Sequence, residues 1–268
     1  MSRADAGLQQ VLDHVGESLA FDPDYYNEAY LSRRVAARMR RRDADDYGEY
    51  LGLLRGDAEE RTALMNALTI SVTSFFRNPE TWTAIADVMG DLAATRHRVN
   101  CWSAACADGR EPYSLAMLAE SDPDVVARRV AIEASDISEP ALAAAKAGVY
   151  EDTRTSDLAG ELAPVDDVEQ YVDRDGDTFS VSRRVKRRVS FDRHDLVRDG
   201  PRSGKDLVLC RNILIYIDTG HKAAVFDTLV DSLAEGGYLV LGKTETVPPG
   251  FNDRLDPVDK RNRIYRRA

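Results

Sequence analysis

Apolar positions change their period twice along this chain. Between residues 31 and 68 they recur every three or four positions, at Leu31, Val35 and Met39, then Tyr50, Leu53 and Leu54, then Leu64 and Leu68. That spacing belongs to helices that bury one face, and it predicts a helical N-terminal module over residues 1–75. From residue 98 short apolar runs alternate with helical stretches. RVNCWSA, RRVAIEASDIS, KDLVLCRN and YLVLGK read as strands, and EPYSLAMLAES, EPALAAAKAGVY and TGHKAAVFDTLVDSLAEGG as the helices among them. Such alternation predicts a mainly parallel sheet with helices on both faces, an α/β domain over residues 76–268. Residues 149–192 break the alternation. QYVDRDGDTFSVS reads as two strands around an Asp-Gly turn and RRVKRRVSF as a strand after them, so a small antiparallel β insertion is expected at about 165–192.

Composition narrows the class. No run of 18 apolar residues exists, and the opening MSRADAGLQQ lacks the apolar stretch of a signal peptide, so a cytoplasmic protein without membrane insertion is expected. Cys101, Cys106 and Cys210 show no C-x-x-C spacing and the four histidines are scattered, which indicates neither a disulfide framework nor a metal site. With 46 acidic against 36 basic residues, the net charge of -10 disfavours nucleic acid as a partner. The basic residues cluster nonetheless. Six arginines fall between Arg33 and Arg42, and on a helix Arg34, Arg38, Arg41 and Arg42 share roughly one face. That face reads either as solvated surface or as a docking face for an acidic helix.

The stretch CWSAACADGREPYSLA, residues 101–116, is the turn from the first predicted strand into a helix. Open parallel sheets bind ligands beyond the carboxyl ends of their strands, and Ala104, Ala105, Ala107 and Gly109 let a ligand approach this backbone. No phosphate-loop pattern is present, and Glu111 at the helix start would repel a pyrophosphate but receive a cation. Asp136, closing the second strand, is placed to accept hydrogen bonds from ribose hydroxyls. A ribose, no phosphate and a positive charge together suggest S-adenosylmethionine. Each acid also has a plainer reading, Glu111 as a helix N-terminal acid and Asp136 as a capping or turn acid.

Four stretches carry a wider resemblance: NALTISVTSFFRNPETW (66–82), CWSAACADGREPYSLAM (101–117), LCRNILIYI (209–217) and GGYLVLGKTE (236–245). In order and spacing the chain resembles CheR-type chemotaxis receptor methyltransferases over nearly its whole length. The resemblance implies an all-α N-terminal domain followed by a Rossmann-like class I methyltransferase domain with a small antiparallel β insertion. It implies an enzyme that uses S-adenosylmethionine to methyl-esterify glutamate side chains of chemoreceptor cytoplasmic domains, and it implies a monomer. The implied cofactor contacts are Ser71, Thr73, Arg77, Ala105, Glu111, Asp136, Asp195, Leu196, Arg211 and Asn212. Ser71 and Asp195 stand where better-known members carry Asn, Ala105 replaces a Gly, and Arg110 interrupts a common pair of acids.

The implied catalytic residues are Arg77, to grip the incoming carboxylate, and Tyr216, to orient it by a hydrogen bond. A glutamate carboxylate is already ionised near neutrality and needs no general base. By the same resemblance the receptor's methylation sites lie on long acidic helices, which the arginine face would meet, and the β insertion would also touch the receptor. The rival readings are a nucleic-acid methyltransferase, which LCRNILIY disfavours by lacking an Asn/Asp-Pro-Pro-aromatic motif, and a silent S-adenosylmethionine-binding module.

Overall fold

Asparagine and aspartate side chains start three of the helices described in the first seventy residues. The structure, a computed structural model, describes residues 3–18, 21–69, 73–123, 125–153 and 156–268. α1 spans Arg3–Ser18, α2 Glu28–Arg41, α3 Tyr47–Gly56 and α4 Ala58–Leu68. The caps Asn27, Asp46 and Asp57 accept from the amides of Tyr30, Glu49 and Glu60, which satisfies donors that a helix start would otherwise leave unpaired. The periodic apolar residues point inward as expected. Leu31, Val35, Tyr50, Leu54, Leu64 and Leu68 are buried with Leu8, Val11 and Phe21 in one core, with Met39 and Leu53 packed on it.

The chain divides into two compact units, Met1–Ile70 with Leu214–Lys222, and Ser71–Ile213 with Ala223–Ala268. Residues 214–222 thus belong to the helical unit. Asn27 N donates to Tyr216 O at 2.8 Å, Asp218 N to Tyr25 O at 2.9 Å, and Tyr26 pairs antiparallel with Ile217.

One acid lies inside the helical unit. Glu60 of α4 is 1 % exposed, takes Arg38 at 2.5 and 3.0 Å and Arg42 at 3.1 Å, and accepts the Tyr50 hydroxyl at 2.7 Å. Arg42 also reaches Asp57 at 2.9 Å, and Arg34 lies over the Tyr30 ring. Arg38 and Arg42 therefore hold α2 to α4, a use of the arginine run that neither reading of it as surface foresees; Arg33, Arg40 and Arg41 are exposed.

In the second unit α5 (Pro79–Thr95) leads to β1 (Val99–Ala104), α6 (Arg110–Ser121), β2 (Val130–Asp136) and α7 (Glu139–Ala147). Then come β3 (Val149–Glu151), α8 (Leu158–Leu162), β4 (Val172–Asp175), β5 (Thr178–Val181), α9 (Arg183–Lys186) and β6 (Val189–Arg193). The unit closes with β7 (Lys205–Cys210), α10 (Lys222–Ser232), β8 (Leu233–Leu241), β9 (Leu255–Asp259) and β10 (Ile264–Arg267). The seven-stranded sheet runs β6-β2-β1-β7-β8-β10-β9. Its first five strands are parallel, and β10 is antiparallel to both neighbours. All six residues of β7 are buried, the near-continuous burial of a strand covered on both faces.

Two expectations change. RRVKRRVSF is no third strand of the insertion: its first part is the short α9, and β6 joins the main sheet parallel to β2. On α9 and just after it, Arg184 and Arg188, four positions apart, converge on Glu120 of α6 at 2.5 and 2.6 Å. The small sheet takes its third strand from upstream instead, in the order β3-β5-β4. The hairpin of β9 and β10 went unread because Pro257 and the charges of IYRR mask its pattern. No described helix is long and apolar enough to cross a membrane.

Burial pushes the Glu60 pKa up, but hydrogen bonds from Arg38 and Tyr50 and the charges of Arg38 and Arg42 outweigh it, and the net value is lowered. A lowered carboxylate pKa stabilises the fold above its unfolded value, and that contribution is lost as pH falls through the folded value. Glu60→Gln should destabilise the helical unit by about 2 kcal/mol or more, because it leaves the arginines poorly matched. It should also flatten the acid limb of the unit's stability, read from hydrogen-exchange protection of the α2 and α4 amides.

Candidate active site

At the carboxyl end of β1 the chain makes three left-handed steps before α6: Ala105 at φ 58°, Ala107 at φ 49° and Gly109 at φ 90°. Only glycine fits the last, since a Cβ there would lie 2.8 Å from the Ala145 Cβ. The two alanines hold conformations that cost an L residue about 1–2 kcal/mol, so the neighbours must impose them. They do so through β2: Cys106 N donates to Ser135 O at 2.9 Å, and Ala107 N to Asp136 Oδ2 at 2.8 Å. The other oxygen, Asp136 Oδ1, accepts Ser138 N at 2.9 Å. Asp136 is thus a turn acid in fact, holding the loop after β1 and the loop after β2 together.

Glu111, in the first turn of α6, sits behind this loop. Its Oε1 accepts the Ser103 hydroxyl at 2.8 Å and its Oε2 faces Arg211 Nη1 at 3.4 Å. Arg211, directly after β7, sends Nη2 to Arg77 O at 2.7 Å and Asn78 Oδ1 at 3.2 Å, while its buried Nε has no partner. Burial raises the Glu111 pKa against the opposing pull of Arg211 and Ser103, and burial raises that of Asp136 against its backbone hydrogen bonds. Arg211 is shifted the other way, down, by burial and then by repulsion from Arg77 among its neighbours.

The irregular segment that carries Arg77 is tied down by side chains rather than by a ladder. Arg110 Nη1 donates to Thr73 O at 3.2 Å, Glu161 Oε2 accepts Phe75 N at 2.9 Å, and Ser114 Oγ accepts Phe76 N at 3.0 Å. Trp82 Nε1 donates to Arg77 O at 3.2 Å. Arg110 further meets Glu161 at 3.4 Å and lies over the Tyr150 ring, so the residue that interrupts the acid pair has an internal use.

Thr73, Arg77, Ala105, Glu111, Asp136, Arg211 and Asn212 are joined to one another by these bonds or are adjacent to residues that are. Asp195 is buried and caps its own turn, its Oδ1 accepting Val197 N at 2.9 Å and Arg198 N at 3.3 Å; Leu196 beside it is half-buried. Asn212 holds φ 64°, a left-handed conformation that asparagine accepts better than most residues. Tyr216 lies in the helical unit, its ring 4.9 Å from that of Tyr30. Ser71 lies outside the described residues. Sequence reasoning missed Glu161 and Ser103, whose sign was only a polar residue at a buried or insertion position.

Residues 71–264 match the SAM-binding domain of CheR methyltransferases and residues 6–69 their all-alpha domain. The chain belongs to the CheR methyltransferase family. It is 32% identical over 247 residues to a chemotaxis protein methyltransferase of Listeria monocytogenes, covering 91% of this chain and 89% of that one. It is 34% identical over 206 residues to that of Vibrio anguillarum, covering 75% and 73% respectively. S-adenosylmethionine is accordingly the cofactor of this CheR methyltransferase, and the protein is a methyltransferase of the chemotaxis type.

The site's chemistry fits that cofactor. Glu111 and Asp136 are buried carboxylates with raised pKa values, and Arg211 meets Glu111 but not Asp136, an excess of acid that the net positive charge of S-adenosylmethionine would offset. Bound cation would draw the Glu111 pKa down, so binding releases the proton that burial favours, and cofactor affinity should rise with pH from the ordinary carboxylate range toward neutrality. Calorimetric titration with S-adenosylmethionine across that range should show the slope, Glu111→Gln should both weaken binding and flatten it, and S-adenosylhomocysteine, which lacks the sulfonium, should show a shallower slope. A second expectation concerns Asp136→Ala, which strands two buried amides at about 1–3 kcal/mol each and should weaken cofactor binding as the loop after β1 relaxes.

Proposed function

We propose that this protein transfers the methyl group of S-adenosylmethionine to glutamate side-chain carboxylates of chemoreceptor cytoplasmic domains, producing glutamate methyl esters in chemosensory adaptation. Membership of the CheR family carries this reading, together with a site whose residues suit an acceptor that is already ionised. When bound, the cofactor supplies an electrophilic methyl on a positively charged sulfur. An amine or hydroxyl acceptor would need a base to take its proton, and a glutamate carboxylate does not. The thiols beside the loop are unsuited to such a role, since burial pushes Cys106 and Cys210 well above the usual thiol range. His194 is held away from such a role by its packing: its ring meets that of Trp102 edge-on, its Nε2 donates to Gly200 O at 3.1 Å and its Nδ1 is buried.

Arg77 is the proposed grip on the incoming carboxylate and Tyr216 the proposed donor that orients it. Methyl transfer discharges the carboxylate, so a grip that held the ionised ground state too tightly would slow the reaction; the useful part is alignment and exclusion of water. The receptor's acidic helices are the proposed partner of the arginine-rich helix. Arg41 is free of the Glu60 network and exposed, with Arg33 and Arg40, whereas Arg38 and Arg42 would answer a receptor only through what Glu60 leaves of their charge.

The test is transfer of radiolabelled methyl to a purified receptor cytoplasmic domain, with base-labile release of methanol as the mark of an ester. A base-stable product, or nucleic acid as the sole acceptor, would overturn the reading. In the same assay Tyr216→Phe should lower turnover while the affinity for S-adenosylhomocysteine stays near the wild-type value; equal loss of both would make Tyr216 structural.

A further inference from the structure

The parallel ladder between β7 and β8 stops at the pair Cys210 and Leu241. Just beyond it, the amides of Asn212 and Gly242 both donate to a single atom, Glu245 Oε2, at 3.0 and 2.6 Å. Glu245 is 3 % exposed and closes a four-residue turn on itself, its own amide donating to Gly242 O at 2.9 Å. The carboxylate fits because residue 242 is glycine: a Cβ there would lie 2.7 Å from Glu245 Oε2 and 2.8 Å from Asn212 N. Amides at the end of a buried ladder must find an acceptor, and this carboxylate provides one oxygen for both strands.

The direction in which Arg211 and Asn212 leave β7 follows from that bond. Asn212 is held at φ 64°, and Arg211, one residue earlier, reaches Glu111 and Arg77 O from the same turn. We propose that Glu245 is a positioning residue of the cofactor site: its carboxylate fixes the turn after β7 so that Arg211 and Asn212 present their side chains to S-adenosylmethionine. This rests on the reading of Arg211 and Asn212 as cofactor contacts, and the experiment separates the two.

S-adenosylhomocysteine is titrated calorimetrically into the full-length protein and into Glu245→Ala, Glu245→Gln, Gly242→Ala and Asn212→Ala, at a temperature where circular dichroism shows each one folded. Glu245→Ala should lose about tenfold or more in affinity, the factor expected when charge-assisted hydrogen bonds are removed. Glu245→Gln keeps an acceptor oxygen in place and should recover most of that loss. Gly242→Ala should reproduce it by displacing the carboxylate while leaving its charge, which keeps the test available if Glu245→Ala does not fold. Loss in Asn212→Ala with wild-type affinity in Glu245→Ala and Gly242→Ala would overturn the positioning role alone. Glutamine as poor as alanine would also overturn it, since the effect would then be one of charge. Wild-type affinity in all four would overturn the contact reading of the turn and this proposal with it.

Discussion

Parallel strands that end together leave backbone amides with nowhere to donate, and in the second unit buried carboxylates answer them. Asp136 takes Ala107 N and Ser138 N beyond β1 and β2; away from the strand ends, the half-buried Glu161 does the same for Phe75 N in the irregular segment before α5. Glu245 serves Asn212 and Gly242 beyond β7 and β8, and Asp195 caps the turn after β6. Asp136, Asp195 and Glu245 each accept two backbone amides, and Glu161 accepts one amide while also meeting Arg110. Charge-assisted bonds of this kind are among the stronger polar contacts available, and they set irregular backbone as firmly as a ladder would.

The same arrangement has an electrostatic consequence. Amides are dipoles and do not cancel a full charge: Asp136 is met by backbone amides, and Glu111 by Ser103 and by Arg211, itself weakened as a base by burial. A cationic cofactor completes the balance, whereas a phosphate would add to the imbalance. Asp136, which holds the loops after β1 and β2 together, therefore also leaves negative charge beside them.

How much of this was legible follows from which residues repeat and which act alone. The helical core of the first unit and the four predicted parallel strands rest on periodic apolar positions, and these were readable one by one, from Leu31 to Leu68 and from RVNCWSA to YLVLGK. Glu111 and Asp136 are singled out in the sequence because strand ends in such sheets are where ligands bind, and the structure shows the bonds each makes within the chain. Partners far apart in sequence were not legible. Nothing local says that Arg38 and Arg42 turn toward Glu60, that β3 rather than the basic stretch completes the small sheet, or that residues 214–222 pack with the first helices. Asp136 shows the limit most clearly: the residue was identified, yet its two amide partners, Ala107 and Ser138, depend on loop paths that composition does not encode.

The departures from the family pattern make sense in the same terms. Ala105, in place of glycine, keeps a left-handed conformation at φ 58°, which the bonds of its neighbours Cys106 and Ala107 to β2 impose. Arg110, which interrupts the pair of acids expected there, spans Thr73 O, Glu161 and the Tyr150 ring, and so ties the segment that carries Arg77 to the insertion. Asp195, in place of asparagine, offers the same single oxygen to Val197 N and Arg198 N that an amide would, and its own amide is taken by Asp199 Oδ2 at 2.8 Å. In each case the residue present or its immediate neighbours are tied into this chain's own hydrogen bonds or ring contacts, which hold the backbone path around it. Side chains that reach backbone amides and carbonyls, rather than strand ladders, thus hold the loops around this candidate site.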